Sequence, residues 1–447
     1  MDIMFALRRA VLVVITMGCG ISAQAADLLE VYQLAVENDA RLQAAGFEFQ
    51  ASNEAIVQAR AGLLPEISFE AAHTETDQEI ISSDNTVYGS GSSGFSTDTY
   101  NLSVSVPIFR YDAWKRFSQS KAVVQQAKAE LLAAKQQLMF DTAEAYFTVL
   151  AAKDNLEFSR SEKTAIARQL ELAQERTKRG LATITDLRDA QARFATSESQ
   201  EIEVENALED AYRALQEYTA ELVLNFSVLQ EDIPLTPPGS VVLDDWISTS
   251  ISQNYMLEAR RHAITVAMEE KRRQRAGHMP TVDLVGTLNN RDTDGSLFGG
   301  GSEVRTTDVM LRFNMPFYLG GRISSLTREA GFRHQQARRE YEVERRSLER
   351  ETRAAYQGVL SGIKKVEALK KSVLFQRGAL DVKEEGLKAG INTTLAVLDA
   401  QRDLHFAQRD YSQARYDYLL SILRLKKAGG TLSQEDLQTL NKLLTTG

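Results

Sequence analysis

The chain has 447 residues, of which 43% are hydrophobic and 25% charged, and a formal net charge of -9 at pH 7. This balance of apolar and charged residues is that of a folded protein rather than a disordered one. A negative net charge argues against a nucleic-acid partner, because binding to phosphates requires a basic surface.

Residues 1–25 have the pattern of a signal peptide. Two arginines precede an apolar run, and an Ala-Gln-Ala motif at 23–25 matches the small residues before a cleavage site. Cys19 leaves another possibility open, a lipid-modified cysteine, although the three residues before it match such a site poorly. With cleavage after Ala25 the exported protein has no cysteine, so disulfides and thiolate metal sites are excluded.

A first structural repeat is predicted over residues 26–231, beginning with a helix at 28–62. Alternation of apolar and polar residues then predicts a strand hairpin at 66–106, with Phe69 in its first strand and Val104 in its second. Residues 82–97 are rich in Ser and Gly and predict a long exposed loop between the strands. Pro107 is expected to end the second strand.

Residues 108–231 contain no proline and predict a long helical hairpin. Apolar residues recur with a mean period of 3.5, which favours coiled-coil packing. The break is predicted at 179–186, where Gly180 can end one helix and Thr183 or Thr185 can begin the next. The first arm, of roughly 70 residues, would extend on the order of 100 Å, which is longer than a compact domain requires.

The same order of elements recurs after about 210 to 215 residues. Arg60-Ala61-Gly62 returns as Arg275-Ala276-Gly277, and Gly180 returns as Gly390. We therefore predict a proline-rich linker at 232–242, a second repeat at 243–428 and a C-terminal tail at 429–447. The second repeat contains a strand hairpin at 281–315 and a long helical hairpin at 319–428.

Four strands with one apolar and one polar face suit a membrane barrel, but four cannot close one, and open edges are not viable in lipid. Several copies should therefore share a barrel. Two copies would give eight strands and three would give twelve, and only the larger ring leaves an open aqueous lumen. The residues expected to face lipid are Phe69, Leu102, Val104, Leu284, Leu311 and Phe313, and those expected to face water are Glu70, Asp283 and Arg312.

These features together resemble the TolC-like outer-membrane factors of efflux and type I secretion systems. The resemblance covers nearly all of the chain after the leader. It is carried by the duplicated order of elements, the segment Pro316-Phe317-Tyr318-Leu319-Gly320-Gly321-Arg322, and the paired tips at 180–186 and 390–399. The segment from Phe109 to Trp114 resembles the TolC and type I secretion branch.

The resemblance implies an internally duplicated, mixed α/β membrane protein that forms a homotrimer. Twelve strands would form an outer-membrane β-barrel in contact with lipid, and twelve helical rods would form an α-barrel across the periplasm. The trimer would be a passive exit duct, a channel-tunnel. Its implied partners are a periplasmic adaptor protein and an inner-membrane ABC or RND-type transporter.

The resemblance also assigns roles near the tips. Asp399 would lie at the pore end of a hairpin, where a ring of three carboxylates would select cations at a constriction. Without the family, Asp399 would be an ordinary exposed helix aspartate. The adaptor would dock on the tip residues Gly180, Leu181, Ala182, Thr183, Gly390, Ile391, Asn392 and Thr393.

The closed state raises a separate question. The family's gate can use an additional aspartate and an arginine at positions where this chain has Ala396 and Asn392. The closed tips are therefore expected to be held less tightly, or by other pairs such as Asp186 with Lys388 or Arg188.

No catalytic, cofactor or metal site is predicted. The five histidines lack metal-ligand spacing, and the G-x-G-x-x-G pattern at 89–94 leads toward a strand rather than a helix, which excludes phosphate-binding geometry. The alternative function is a structural coiled-coil tether, in the periplasm or on the surface, whose period-two segments would pack on the rod. The duplicated strand hairpins disfavour that alternative.

Overall fold

The computed structural model describes residues 25–82, 91–239, 242–295 and 300–445. The predicted signal peptide, apart from Ala25, lies outside the described residues. Within these ranges, no helix is both long enough and apolar enough to cross a membrane.

The described chain contains long helices, one four-stranded sheet and one two-stranded sheet. In order, the elements are α1 (Leu28–Asn38), α2 (Ala40–Ala61), β1 (Glu66–Ile80), β2 (Gly91–Arg110), α3 (Tyr111–Lys178), α4 (Ile184–Thr219), β3 (Val228–Leu229), α5 (Leu243–Gln253), α6 (Tyr255–Ala276), β4 (Thr281–Thr293), β5 (Ser302–Asn314), α7 (Arg322–Lys388), α8 (Thr394–Ala428), α9 (Gln434–Asn441) and β6 (Leu444–Thr445). The order helix, helix, strand, strand, long helix, long helix occurs twice.

The single helix predicted at 28–62 is wrong, because the chain breaks at Asp39. This residue has an extended backbone, and its side chain accepts a hydrogen bond from the Leu42 N–H at 2.7 Å, which caps α2. The second repeat breaks in the same way at Asn254, which accepts a hydrogen bond from the Leu257 N–H at 3.1 Å. Both capping residues interrupt segments whose apolar spacing alone indicates helix.

The four-stranded sheet is antiparallel, with the order β1-β2-β4-β5. Both strand boundaries predicted for the first hairpin were too short. β2 begins at Gly91, inside the predicted loop, and continues through Pro107 to Arg110. A register shift between Pro107 and Phe109 accommodates the proline, which has no N–H to donate to the ladder.

The register sorts the strand residues onto two faces. Phe69 lies opposite Leu102, Ile67 lies opposite Val104, and Leu284 lies opposite Leu311. On the other face Glu70 lies opposite Asn101, and Asp283 opposite Arg312. The predicted apolar residues therefore share one face of the sheet, and the predicted water-facing residues share the other.

Both long helical hairpins form as the sequence predicts. α3 has 68 residues and α7 has 67. The ends differ from the predicted bounds: α4 stops at Thr219 because Ala220 adopts a left-handed backbone (φ 57°), and α7 starts only after Gly320 and Gly321, which also have positive φ. Glycine tolerates that conformation, whereas alanine adopts it at some cost.

The helices pack side by side in two rows. Next to the sheet the row is α2-α3-α6-α7, and toward the tips it is α4-α3-α8-α7. The predicted C-terminal tail is part of the core, since Leu437 on α9 is fully buried and β6 pairs with β3. A main core around Tyr146 and Tyr416 lies where the tail, α1, α3 and α8 meet.

Candidate functional site

The first helical tip is a tight turn between α3 and α4. Gly180 has φ 72°, and the Leu181 N–H donates to the Arg176 carbonyl at 2.8 Å, which satisfies the end of α3. Thr183 and Asp186 cap α4 reciprocally: the Thr183 hydroxyl accepts from the Asp186 N–H at 3.1 Å, and the Asp186 carboxylate accepts from the Thr183 N–H at 3.0 Å. The tip is thus ordered by its own residues.

The second tip repeats this geometry between α7 and α8. Gly390 has φ 74°, the Ile391 N–H donates to the Gly386 carbonyl at 2.8 Å, and Thr393 caps α8 through the Ala396 N–H at 3.2 Å. Asn392 folds back and donates to the Lys383 carbonyl at 3.3 Å. A Cβ at Gly386 would overlap the Asn392 amide, so this glycine makes room for the folded-back side chain.

The predicted docking residues are exposed or half-buried in both tips. Leu181 is 71% exposed and Ile391 is 82% exposed, so each hairpin ends in one protruding aliphatic side chain. Backbone groups at such turns, together with these side chains, are accessible to a partner.

Asp399 lies on α8 and is paired within the chain. Its Oδ1 is 2.7 Å from a terminal nitrogen of Arg193 on α4 and 3.8 Å from one of Arg402 on α8. The carboxylate is 37% exposed, so it faces both solvent and the other hairpin. Sequence reasoning missed Arg193, because nothing in its spacing relates it to a residue on a helix of the other repeat.

The residues suggested for holding the tips closed have other partners within the chain. Asp186 caps its own helix, Lys388 lies 2.7 Å from the Glu385 carboxylate, and Arg188 donates to the Gln191 side chain at 3.1 Å. No hydrogen bond or ion pair in the described residues joins Asp186 to Lys388 or Arg188. Their pairing remains a prediction for contacts between copies of the chain.

A polar layer separates the tips from the main core. Glu162 on α3 and His405 on α8 contact each other at 3.2 Å (Oε2 to Nε2), and both are largely buried. Burial, with Arg409 nearby, lowers the pKa of His405 to about 4, and burial raises the pKa of the Glu162 carboxyl. These two residues line a cavity of about 140 Å³ between α3, α4 and α8.

A family model described as "Outer membrane efflux protein" matches residues 31–221 and 246–431. The chain belongs to the outer membrane efflux protein family. One matched segment falls in each structural repeat, and the unmatched residues between them include the proline-rich linker. Among the described residues, no group of three or more His, Cys, Asp or Glu side chains could hold a metal ion.

Several curated relatives of this efflux protein extend over nearly the whole chain. The outer membrane protein TolC of Vibrio cholerae is 33% identical over 93% of both chains. The proteases secretion protein PrtF of Dickeya chrysanthemi is 29% identical over 97% of this chain and 94% of its own. The TolC protein of Escherichia coli is 29% identical over 95% of this chain and 86% of its own.

Solved structures confirm the fold of the efflux protein. The CmeC outer membrane channel of Campylobacter jejuni superimposes with a TM-score of 0.82 at 18% identity, over 94% of this chain and 90% of that one. CusC gives 0.78 at 16% identity, over 90% and 92%. With the family and the relatives, this confirms the predicted function: the chain is an outer-membrane exit duct for efflux or type I secretion, with a long periplasmic part.

Proposed function

We propose that the efflux protein works as a homotrimer, without a reaction of its own, and conducts cargo delivered by an inner-membrane pump through a periplasmic adaptor. The observation that carries this proposal is that the chain has two open edges along its whole length. One edge consists of β1, α2 and α4, and the other consists of β5 and α7. Structures with such edges close into rings when one edge joins the other edge of the next copy.

Both edges expose apolar side chains that water disfavours. On one edge these are Phe47 and Val57 of α2 and Ile202 of α4, and on the other they are Phe332, Val343, Leu374, Phe375 and Val382 of α7; each of these side chains is at least 60% exposed in the single chain. Exposed apolar rows of this extent indicate surfaces that another copy covers.

The sheet supports the membrane position. Its apolar face includes Ile67, Phe69, Val309, Leu311 and Phe313, all more than 60% exposed, and this face would meet lipid. The opposite face is rich in Ser, Thr and Asn, with Ser68 bonded to Ser103 at 2.8 Å, and would line an aqueous lumen. Three copies would supply twelve strands, enough for an open lumen, whereas two would supply eight.

The partners follow from the tips and from the relatives. The tips lie at the end of the long hairpins, far from the sheet, and each presents an exposed aliphatic side chain, Leu181 or Ile391. These residues would receive a periplasmic adaptor. Relatives carry the names of protease secretion proteins and of efflux proteins, which supports an ABC or RND-type transporter as the pump.

The proposal is tested by fractionation and conductance. The protein should occur in the outer-membrane fraction as a trimer whose electrophoretic mobility changes on heating, and the purified trimer should give discrete single-channel currents in a planar bilayer. A soluble, elongated fibre with no channel activity would instead establish the structural tether.

A further inference from the structure

A buried pair of ionisable side chains joins the two helical hairpins between the main core and the tips. Nε2 of His405 lies 3.2 Å from Oε2 of Glu162, and the two side chains are only 8% and 14% exposed. The imidazole also meets the edge of the Phe158 ring, with centroids 6.3 Å apart. His405 belongs to α8 of the second repeat, whereas Glu162 and Phe158 belong to α3 of the first.

We propose that Glu162 and His405 form an acid-sensitive latch that holds the hairpins together and releases them as the periplasm acidifies. This inference rests on the proposed exit duct, since a latch in the tunnel wall has a function only if the wall opens. It adds a regulatory signal, the proton, to a duct otherwise opened by its protein partners.

The charges around the latch favour release once His405 is protonated. The cavity that it lines receives Glu162 from α3, Arg193 from α4, and Arg402 and Arg409 from α8. The carboxylates of Asp399, Asp403 and Asp410 pair with these arginines at its rim. Glu162 is thus the one carboxylate among the cavity-lining residues, and a protonated His405 would place a fourth cation there.

The packing around the latch is too thin to compensate for a new charge. The apolar cluster on its tip side contains only four buried residues, Ile166, Ala173, Ala190 and Leu398. Three buried polar atoms in this part of the wall, Oε1 of Gln169, Oε1 of Gln401 and Nε of Arg402, have no hydrogen-bond partner in the described structure. Such unpaired groups weaken the closed arrangement relative to one in which water reaches them.

The direction of the pH effect follows from His405. In the closed wall its pKa is about 4, whereas in water it would be about 6.5. An opened wall therefore binds a proton that the closed wall does not, and each unit of pH below about 6.5 favours opening by up to about tenfold per chain. Burial raises the pKa of the Glu162 carboxyl, so protonation of the closed wall offsets the effect at the acid end of this window.

Conductance of the purified full-length trimer in planar bilayers tests the latch. Between about pH 7.5 and about pH 5, the open fraction of the wild type should rise as the histidine titrates. His405→Gln keeps a polar side chain of similar length that does not titrate, and its open fraction should stay constant over the same range. A response in His405→Gln equal to that of the wild type would refute the latch.

His334 provides a matched control. It is a buried histidine of α7 whose pKa is likewise lowered by burial, but it lies beside Lys271 and Arg338, near α6 and away from the tips. His334→Gln should retain the full pH response. Loss of the response in both variants would show general acid loosening and would also refute the latch. A wild-type trimer with no channel current at any pH would refute the exit duct itself, a result distinct from a conducting channel indifferent to His405.

Discussion

At the scale of single residues, the ion pair between Arg193 and Asp399 changes what the carboxylate can do. The two side chains are 2.7 Å apart and each is about one-third exposed, so the guanidinium screens the carboxylate without removing it from solvent. If three copies of Asp399 face a common axis, their field on a passing cation is reduced by three arginines. The closed pore would then attract cations less strongly than an unpaired ring.

We propose on this basis that Asp399 forms the cation-binding constriction of the trimer and that Arg193 attenuates it. Block of the bilayer current by a trivalent cation should disappear in Asp399→Ala. In Arg193→Gln it should require about fivefold less cation, since one nearby unit charge contributes about 1 kcal/mol in water. Ala396→Asp should strengthen the block, because positions three apart share a helix face.

The paired design makes the outcome decisive. Arg188→Gln removes an arginine that lies on the same helix and bonds only to the Gln191 side chain, so it should leave the block unchanged. Unaltered block in Asp399→Ala would show that the aspartate is a solvated helix residue and that the constriction lies elsewhere.

The sequence predicts residues whose role is local better than residues whose role depends on distant packing. Gly180 and Thr183 are recognisable because a left-handed turn and a helix cap are properties of a few consecutive residues. Arg193 and His405 are not, since their partners Asp399 and Glu162 lie on the other hairpin. Their positions follow from how two coiled coils of different repeats come together, which no local pattern encodes.

At the scale of secondary-structure elements, alternation predicted the two faces of the sheet but not the strand ends. The faces follow from a fixed period of two, so Val104 and Ser103 necessarily point to opposite sides. Pro107 was expected to end β2, yet the strand continues because a bulge absorbs the missing donor. The existence of a bulge depends on the neighbouring strand, here Asp283 and Val282 of β4, and is not visible in β2 alone.

An arginine scan of β2 tests which face meets lipid. Val104→Arg should greatly reduce the yield of assembled trimer, because an arginine on the lipid face costs about 2 to 4 kcal/mol near the membrane midplane. Ser103→Arg places the same side chain on the polar face of the adjacent position and should be tolerated. The measurement is the amount of heat-modifiable trimer in the outer-membrane fraction, and equal losses in the two variants would refute the assignment of the faces.

The break between α1 and α2 supplies a second prediction at this scale. Asp39→Ala removes the cap of α2, and such a loss typically costs about 1 kcal/mol, so the trimer should dissociate at a lower temperature. Asp39→Asn should be milder, because Asn254 caps α6 in the same way in the second repeat. A melting temperature equally low in both variants would indicate that the ion pair with Arg41, rather than the cap, stabilises the break.

At the scale of the whole molecule, duplication explains why one chain has two open edges. Each repeat supplies a strand pair and a helical hairpin, and joining two repeats side by side satisfies only the inner edges, β2 with β4 and α3 with α6 and α8. The outer edges, β1 with α2 and α4 on one side and β5 with α7 on the other, remain for neighbouring copies. The long proline-free stretches predict the hairpins, but the lateral order of the helices emerges only from the packing.

The orientation of this assembly leads to a prediction about its partner. The tips are the part of the described chain farthest along the helices from the sheet, so if the sheet lies in the outer membrane they extend toward the inner one. A photoactivatable or bifunctional crosslinker attached to Ala182→Cys or Thr393→Cys should capture a periplasmic protein in intact cells. The chain offers a background without other thiols if the leader containing Cys19 is removed.

A matched cysteine at the other end of the molecule fixes the interpretation. Ser93→Cys lies in β2 near the turn that links it to β1, and should react with membrane-impermeant reagents from outside the cell without capturing the periplasmic protein. Leu181→Asp, which replaces a protruding aliphatic side chain with a charge, should weaken capture at Ala182→Cys while leaving trimer yield unchanged, because the side chain contacts solvent rather than the core. Capture at Ser93→Cys with silence at both tips would reverse the orientation of the duct.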